Sequence, residues 1–275
     1  EVYSTLLFHC GSAERFAVLL PMINHIEKIQ TKDIEQVSDK EYINIKGDSV
    51  LVVRINEILS IQPEEDLEQM YLILPKHTSR NFGLLASRLE DIVQVSSNID
   101  SDSISEDGLL GSCILDEQMV LFVDMHRIID IVSPGSSALP EKVEEVRGKI
   151  KILHAEDTLI FRQIVRGYLE SDGYEVVSAN DGQEAYEMFQ EDKYDLLLSD
   201  MEMPEMDGFG LIRAIRSGSF NNQVPAIALT TLARPEDREK GLRLGFDRYE
   251  LKIDRSALLA TVSDVLKTKQ QGTAS

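Results

Sequence analysis

The chain has 275 residues, enough for two ordinary domains, and a formal net charge of −20 without any stretch in which lysine and arginine cluster. That balance argues against nucleic acid and against docking on anionic lipid, and favours partners with basic protein faces. No apolar run is as long as a membrane span and no charged-then-apolar leader opens the chain, so a cytoplasmic location without membrane insertion is expected.

The first residue is Glu1 rather than methionine, which implies an excerpt of a longer protein. The two cysteines, Cys10 and Cys113, are far apart among apolar neighbours. They read as buried, reduced residues rather than as a disulfide or a metal pair.

From Glu1 to about Val132 the chain is cut into short apolar runs separated by Gly, Asp, Asn and Ser: Leu6 to Phe8, Phe16 to Leu20, Val50 to Val53, Tyr71 to Leu74, Phe82 to Leu85 and Met119 to Val123. Short runs with turn signals predict strands, and the class is all-β. A helix finds a place only at Pro63 to Met70. An internal repeat supports this reading. A shift of 66 residues lays Leu6-Leu7-Phe8 on Leu72-Ile73-Leu74 and Phe16 on Phe82. A shift of 70 lays Val50 to Val53 on Val120 to Val123. Two copies of one strand pattern predict two similar small barrels side by side.

Residues 133–148, with Pro134-Gly135-Ser136-Ser137, Pro140 and a charged stretch, read as a linker. Beyond it the pattern alternates. Strand-like runs at Ile150 to Leu153, Tyr174 to Ala179, Tyr194 to Ser199, Ala226 to Leu229 and Phe246 to Leu251 are interleaved with helix-like segments. These are Thr158 to Glu170, Asp181 to Gln190, Gly208 to Arg216, Pro235 to Leu244 and Arg255 to Lys267. Strict alternation predicts an α/β, doubly wound, five-stranded parallel sheet over residues 149–275, with its crevice at the carboxyl ends of the strands.

At those ends stand Glu156-Asp157, Asp200, Thr230 and Lys252. An Asp after a strand commonly caps the next helix, which by itself would account for Asp157 or Asp181. Carboxylates gathered in one crevice repel one another unless a cation lies between them, and a hard divalent ion with oxygen ligands, such as Mg²⁺, suits them. A carboxylate can attack phosphorus, while the metal, an ammonium and a hydroxyl bond the charged oxygens of the transferred group.

The acidic pair Glu156-Asp157, the segment Ser199-Asp200-Met201-Glu202-Met203-Pro204-Glu205-Met206-Asp207-Gly208, Thr230 and Lys252 resemble a two-component response-regulator receiver, a flavodoxin-like fold. The resemblance implies that Asp200 is the phosphoacceptor and that a histidine kinase is the donor. It implies that Glu156, Asp157, Asp200 and the backbone carbonyl of Glu202 hold Mg²⁺, that Lys252 pairs with the phosphate, and that Thr230 and Tyr249 switch together. One departure is Ile253, where the family usually carries a proline after the lysine. The face formed by the fourth helix and fifth strand is where phosphorylation is expected to be felt.

Glu14 to Pro21, Ile45-Lys46-Gly47-Asp48 with Val50 to Arg54, and Phe82 to Val93 resemble a CheW-like domain, a double SH3-like barrel. The resemblance implies docking to a CheW adaptor or to chemoreceptors at receptor arrays, with Lys46, Gly47 and Arg54 as candidate docking residues. No enzymatic constellation is legible in this half, where His9, His25, His77 and His126 lack a metal-ligand spacing. The expected whole is the C-terminal part of a hybrid CheA-type chemotaxis histidine kinase, with the kinase domain outside this segment. A CheV-type adaptor carries the same two domains. An Asp-nucleophile phosphohydrolase of the haloacid-dehalogenase type fits poorly, since its aspartate follows the first strand and Asp200 follows the third.

Overall fold

The computed structural model describes residues 2–11, 13–62, 64, 67–76, 78, 81–96, 99–100, 106–133, 150–231 and 235–272. The chain divides into two units, Glu1–Lys142 and Val143–Ser275. The expected linker lies, Ser133 apart, outside the described residues.

The first unit is made of short strands rich in β-branched and aromatic residues. In chain order they are β1 (Val2–His9), β2 (Arg15–Leu19), β3 (Ile23–Gln30), β4 (Glu35–Val37), β5 (Lys40–Ile45), β6 (Asp48–Val53), β7 (Gln69–Pro75), β8 (Phe82–Ala86), β9 (Arg88–Ser96), β10 (Leu109–Leu115) and β11 (Gln118–Val123). They form a five-stranded sheet ordered β10-β11-β2-β1-β9 and a six-stranded sheet ordered β3-β7-β8-β6-β5-β4. Period-two alternation puts Val50 and Val52, Met70 and Leu72, Ile29, Ile43 and Leu85 into one core.

The sheet orders explain the repeat and go beyond it. Under the two shifts β1 becomes β7, β2 becomes β8, β5 becomes β10 and β6 becomes β11. The parallel pair Leu121↔Phe16 of the first sheet is the counterpart of Leu51↔Phe82 in the second. Each sheet therefore takes strands from both copies of the repeat, so the two copies exchange strands rather than folding one after the other. The hairpin turns repeat as well. Lys46 and Gly47 sit at φ 55° and 100° between β5 and β6, and Asp116 and Glu117 at φ 50° and 62° between β10 and β11. Both turns carry positive φ at two central residues, the geometry a two-residue hairpin needs.

Two expectations are corrected here. The helix expected at Pro63 to Met70 does not form over its described end: Gln69 and Met70 open β7, while Pro63, Glu65 and Asp66 lie outside the described residues. A helix occurs instead at α1 (Met125–Val132), capped by Asp124, whose side chain accepts from the amides of His126 and Arg127. Its buried face is Met125, His126, Ile128 and Ile129. Cys10 is buried as expected, whereas Cys113 is only half-buried on β10, an edge strand.

Arg15, 6% exposed, binds four strands together. Its Nε and Nη2 donate to the Glu90 carboxylate at 3.1 and 2.5 Å, its Nη1 donates to the Leu115 carbonyl at 3.0 Å, and His9 Nε2 lies 2.9 Å from Glu90. The hydrogen bond from Arg15 holds the Glu90 carboxyl below its ordinary range. Its stabilising contribution is therefore complete above the ordinary carboxylate range and lost as pH falls through the lowered value. Glu90→Ala should cost about 2 kcal/mol at neutral pH, below the figure for a fully buried pair because the glutamate keeps solvent contact. Urea unfolding of the variant and parent should show that gap closing as pH falls through the lowered Glu90 value.

The second unit alternates as read: β12 (Lys151–Ala155), α2 (Leu159–Ser171), β13 (Glu175–Ala179), α3 (Gly182–Glu191), β14 (Leu196–Asp200), α4 (Gly208–Ser217), β15 (Ala226–Thr230), α5 (Pro235–Leu244), β16 (Arg248–Leu251) and α6 (Arg255–Gly272). All strand pairs are parallel, in the order β13-β12-β14-β15-β16. One pleat of the sheet, with Leu153, Ala155, Leu197, Ala226 and Ala228, packs on Ala185 and Phe189 of α3 and on Leu211, Ile212 and Ile215 of α4. On the other pleat Ile152, Leu196, Leu198, Ile227 and Leu229 are buried, as are Ile160, Phe161, Ile164 and Val165 of α2 and Leu258 and Val262 of α6. Asp181 caps α3 and Asp207 caps α4. The N-cap of α2 is Thr158, so capping does not account for Asp157.

Candidate functional site

The winding of this sheet reverses between β12 and β14, which opens a crevice above their carboxyl ends. Glu156 directly follows β12, Asp200 ends β14, Thr230 ends β15 and Lys252 directly follows β16. Lys252 Nζ lies 2.8 Å from Glu156 Oε2 and 2.8 Å from Asp200 Oδ2. Glu156 is 0% exposed, Lys252 2% and Asp200 4%. Asp157 completes the group: ligand oxygens of Glu156, Asp157 and Asp200 all lie within 4.8 Å of one another.

Two carboxylates buried beside one ammonium set the electrostatics. Burial pushes the Glu156 carboxyl up to about 8, against the pull of Lys252 and with the push of Asp200. Burial raises Asp200 too, although Lys252 and the backbone amides of Met201 and Glu202 favour its ionised form. Burial alone would lower Lys252, but the charges of Glu156 and Asp200 outweigh it and the net shift is upward. With Asp157 included, acid exceeds base at the site. The donor set is all oxygen and carries net negative charge, which fits a hard divalent cation.

Local backbone holds these groups. Asp200 Oδ1 accepts from the Met201 amide at 2.6 Å, and Glu156 Oε1 accepts from the Thr158 amide at 3.2 Å. The Thr158 hydroxyl donates to Asp157 Oδ1 at 3.3 Å. Gly208 opens α4 against the same loop, where a Cβ would stand 2.3 Å from the Asp200 carbonyl oxygen. The Glu202 side chain is exposed, and its backbone amide bonds the Asp200 carboxylate. Tyr249 is buried, with its side chain hydrogen-bonded to Thr230, so the ring lies on the inner side of the sheet edge. The Lys252–Ile253 bond is trans.

Glu156, Asp157, Asp200 and Lys252 thus converge, while Thr230 ends the neighbouring β15 and Tyr249 is the second residue of β16. Lys46, Gly47 and Arg54 do not converge. Lys46 and Gly47 form the β5–β6 turn, with Lys46 Nζ on Glu27 at 2.8 Å, and Arg54 pairs with Glu41 at 2.6 Å beyond the other end of β6. Six strand residues separate them, about 20 Å at ~3.3 Å per residue. Thr158 and Arg162, both in contact with the acidic loop, were not singled out in the sequence. Arg162 bonds main-chain carbonyls, which leave no side-chain spacing to find, whereas Thr158 bonds the Glu156 and Asp157 carboxylates, and its place directly after that acidic pair was the signal available. Among the described residues no helix is long and apolar enough to cross a membrane.

Residues 4–133 match the CheW-like domain family and residues 152–263 match the response regulator receiver domain family. A gliding motility regulatory protein of Myxococcus xanthus is 38% identical over 104 residues, covering 38% of this chain and 13% of its own length. The sensor histidine kinase CheAY of Helicobacter pylori is 24% identical over 264 residues, covering 90% of this chain and 33% of its own. This chain is thus short beside both relatives. Among solved structures, the receiver domain of the sensor histidine kinase PA1611 from Pseudomonas aeruginosa, with magnesium in its active-site cleft, is 31% identical. It covers 44% of this chain and 99% of its own, with a TM-score of 0.41. The chain thus carries a CheW-like domain followed by a response regulator receiver domain.

Proposed function

We propose that Asp200 accepts a phosphoryl group from the phosphohistidine of a histidine kinase, in a step that needs a divalent metal, most suitably Mg²⁺. The observation that carries this reading is the buried cluster itself: Asp200 and Glu156 share the Lys252 ammonium, and Asp157 lies beside them. A carboxylate oxygen of Asp200 attacks phosphorus. A P–O bond forms, the P–N bond of the donor breaks, and its electron pair stays on the leaving imidazole, which departs neutral because its other ring nitrogen carries a proton. Glu156, Asp157, Asp200 and the Glu202 carbonyl would hold the metal, which supplies positive charge to the transferring oxygens. Lys252 bonds a second oxygen of the same group, and Thr230 a third, with Tyr249 moving in step with Thr230.

The protein would act as a phosphorylation-tuned docking element. Residues 1–132 would bind a CheW adaptor or chemoreceptor tips at cytoplasmic receptor arrays, and the receiver would be fed by the kinase. The similarity to CheAY over both domains favours the C-terminal part of a hybrid chemotaxis kinase as the setting. The test is incubation with acetyl phosphate, with and without Mg²⁺, followed by intact mass. One Mg²⁺-dependent phosphoryl group that Asp200→Asn abolishes is expected. A gain unaffected by that substitution contradicts the assignment.

A further inference from the structure

Glu156 and Asp157 sit in the short connection between β12, which ends at Ala155, and α2, which begins at Leu159. The Glu156 amide still bonds the sheet, donating to the Ala179 carbonyl at 3.1 Å. Its carbonyl has left the ladder. Arg162, in the first turn of α2, takes up that acceptor: Nη1 donates to the Glu156 carbonyl oxygen at 2.6 Å and reaches the Asp157 carbonyl oxygen at 3.4 Å. The guanidinium therefore spans the backbone of both residues whose carboxylates face the metal position. It does so from a helix anchored by the buried Ile160, Phe161 and Ile164.

We infer that Arg162 is a positioning residue for the metal: it fixes the β12–α2 connection so that the Glu156 and Asp157 carboxylates stand ready at the spacing a divalent cation needs. The inference rests on the receiver reading and adds a residue that touches neither metal nor phosphate. Charge and positioning give opposite signs here. A guanidinium near a cation site repels the cation, so on charge alone its removal would tighten metal binding. If it acts by holding the backbone, removal weakens binding, because the carboxylates must be ordered at the moment the ion binds.

The test is Mn²⁺ binding to the full 275-residue chain, read as loss of the free Mn²⁺ signal in electron paramagnetic resonance, with Mg²⁺ as competitor. Arg162→Met should raise the Mn²⁺ dissociation constant about 10-fold, the lower end of losses for groups that orient metal ligands. Arg162→Lys, which keeps a donor and the charge, should recover most of the affinity. Phosphoryl gain by Arg162→Met should need more Mg²⁺ but reach the parent rate at saturation, whereas a general packing defect would lower that rate as well. Should Arg162→Met fail to fold, Arg162→Gln, a neutral donor, takes its place and should bind more weakly than Arg162→Lys. Unchanged or tighter Mn²⁺ binding in the folded neutral variant overturns the inference while leaving the receiver reading intact. No Mn²⁺ binding by the unsubstituted chain, with Asp157→Asn as reference, overturns both.

Discussion

Replacing Lys252 by Met should destabilise the receiver unit by about 3–5 kcal/mol in chelator near pH 7.5, the cost of removing one partner from a buried ion pair. The lysine is 2% exposed and is the cation contacting Glu156 and Asp200, both themselves buried. Without it two carboxylates face each other in a site that water barely enters. They respond by taking up protons, so the loss depends on pH. In the parent, burial already raises Glu156 to about 8 and shifts Asp200 upward. An acid raised on folding binds its proton more tightly in the native state. Stability is then full below the ordinary carboxylate range and falls as pH rises toward the raised value. Lys252, shifted upward, adds stability that persists until pH climbs through its own higher value. The variant should accordingly lose less at about pH 5 than near pH 8, and Mg²⁺ should restore part of the loss by supplying the missing charge. Urea unfolding with Mg²⁺ or with chelator, at both pH values, checks this. An unchanged midpoint in chelator near pH 8 would mean that the ammonium is not what holds the two carboxylates.

The second large effect is expected from the smallest residue at the site. In Gly208→Ala the new methyl would lie 2.3 Å from the Asp200 carbonyl oxygen and 3.0 Å from Met201 Cα. Both obstacles are backbone, so no side chain can step aside, and either the start of α4 or the end of β14 must move. Such overpacking costs about 1–3 kcal/mol. The functional loss should be larger than the stability loss suggests. A displacement of about 1 Å in a group that must attack in line can cost ~100-fold in rate. Phosphorylation by acetyl phosphate followed over time should therefore slow by about 100-fold at a temperature where the variant is still folded. A variant that is destabilised yet phosphorylated at the parent rate would show that the loop relaxes away from Asp200 rather than through it.

The two halves of the chain were legible to different degrees, for physical reasons. In the receiver unit each strand and helix is a local unit with its own period, and the doubly wound topology follows from their alternation. Observed elements such as β15 and α5 begin at the residues read from sequence, Ala226 and Pro235. The same topology brings the residues after consecutive parallel strands to one edge, so Glu156, Asp200 and Lys252 could be placed together before any distance was known. In the first unit the repeat identified equivalent strands, but pairing is a long-range property that periodicity does not encode. The parallel pairing of β2 with β11 and of β6 with β8 joins residues about a hundred and about thirty positions apart, and nothing in either segment names its partner. Helix α1 was missed because its eight residues, too short to show several turns of periodicity, follow the β11 run after the single residue Asp124, although Asp124 before Met125 marks its start. The interactions of Arg162 were illegible for a further reason: a guanidinium bound to main-chain carbonyls leaves no complementary side chain to recognise.

The assignment of Asp200 is tested most directly by trapping the phosphorylated residue. The chain, phosphorylated in Mg²⁺, is treated with borohydride, which reduces an aspartyl phosphate to homoserine, and is then mapped by peptide mass spectrometry. Homoserine at position 200, absent when Mg²⁺ is withheld, is the expected result. Modification at Glu156 or Asp157, or a stable phosphoryl group on a hydroxyl residue, would contradict the account.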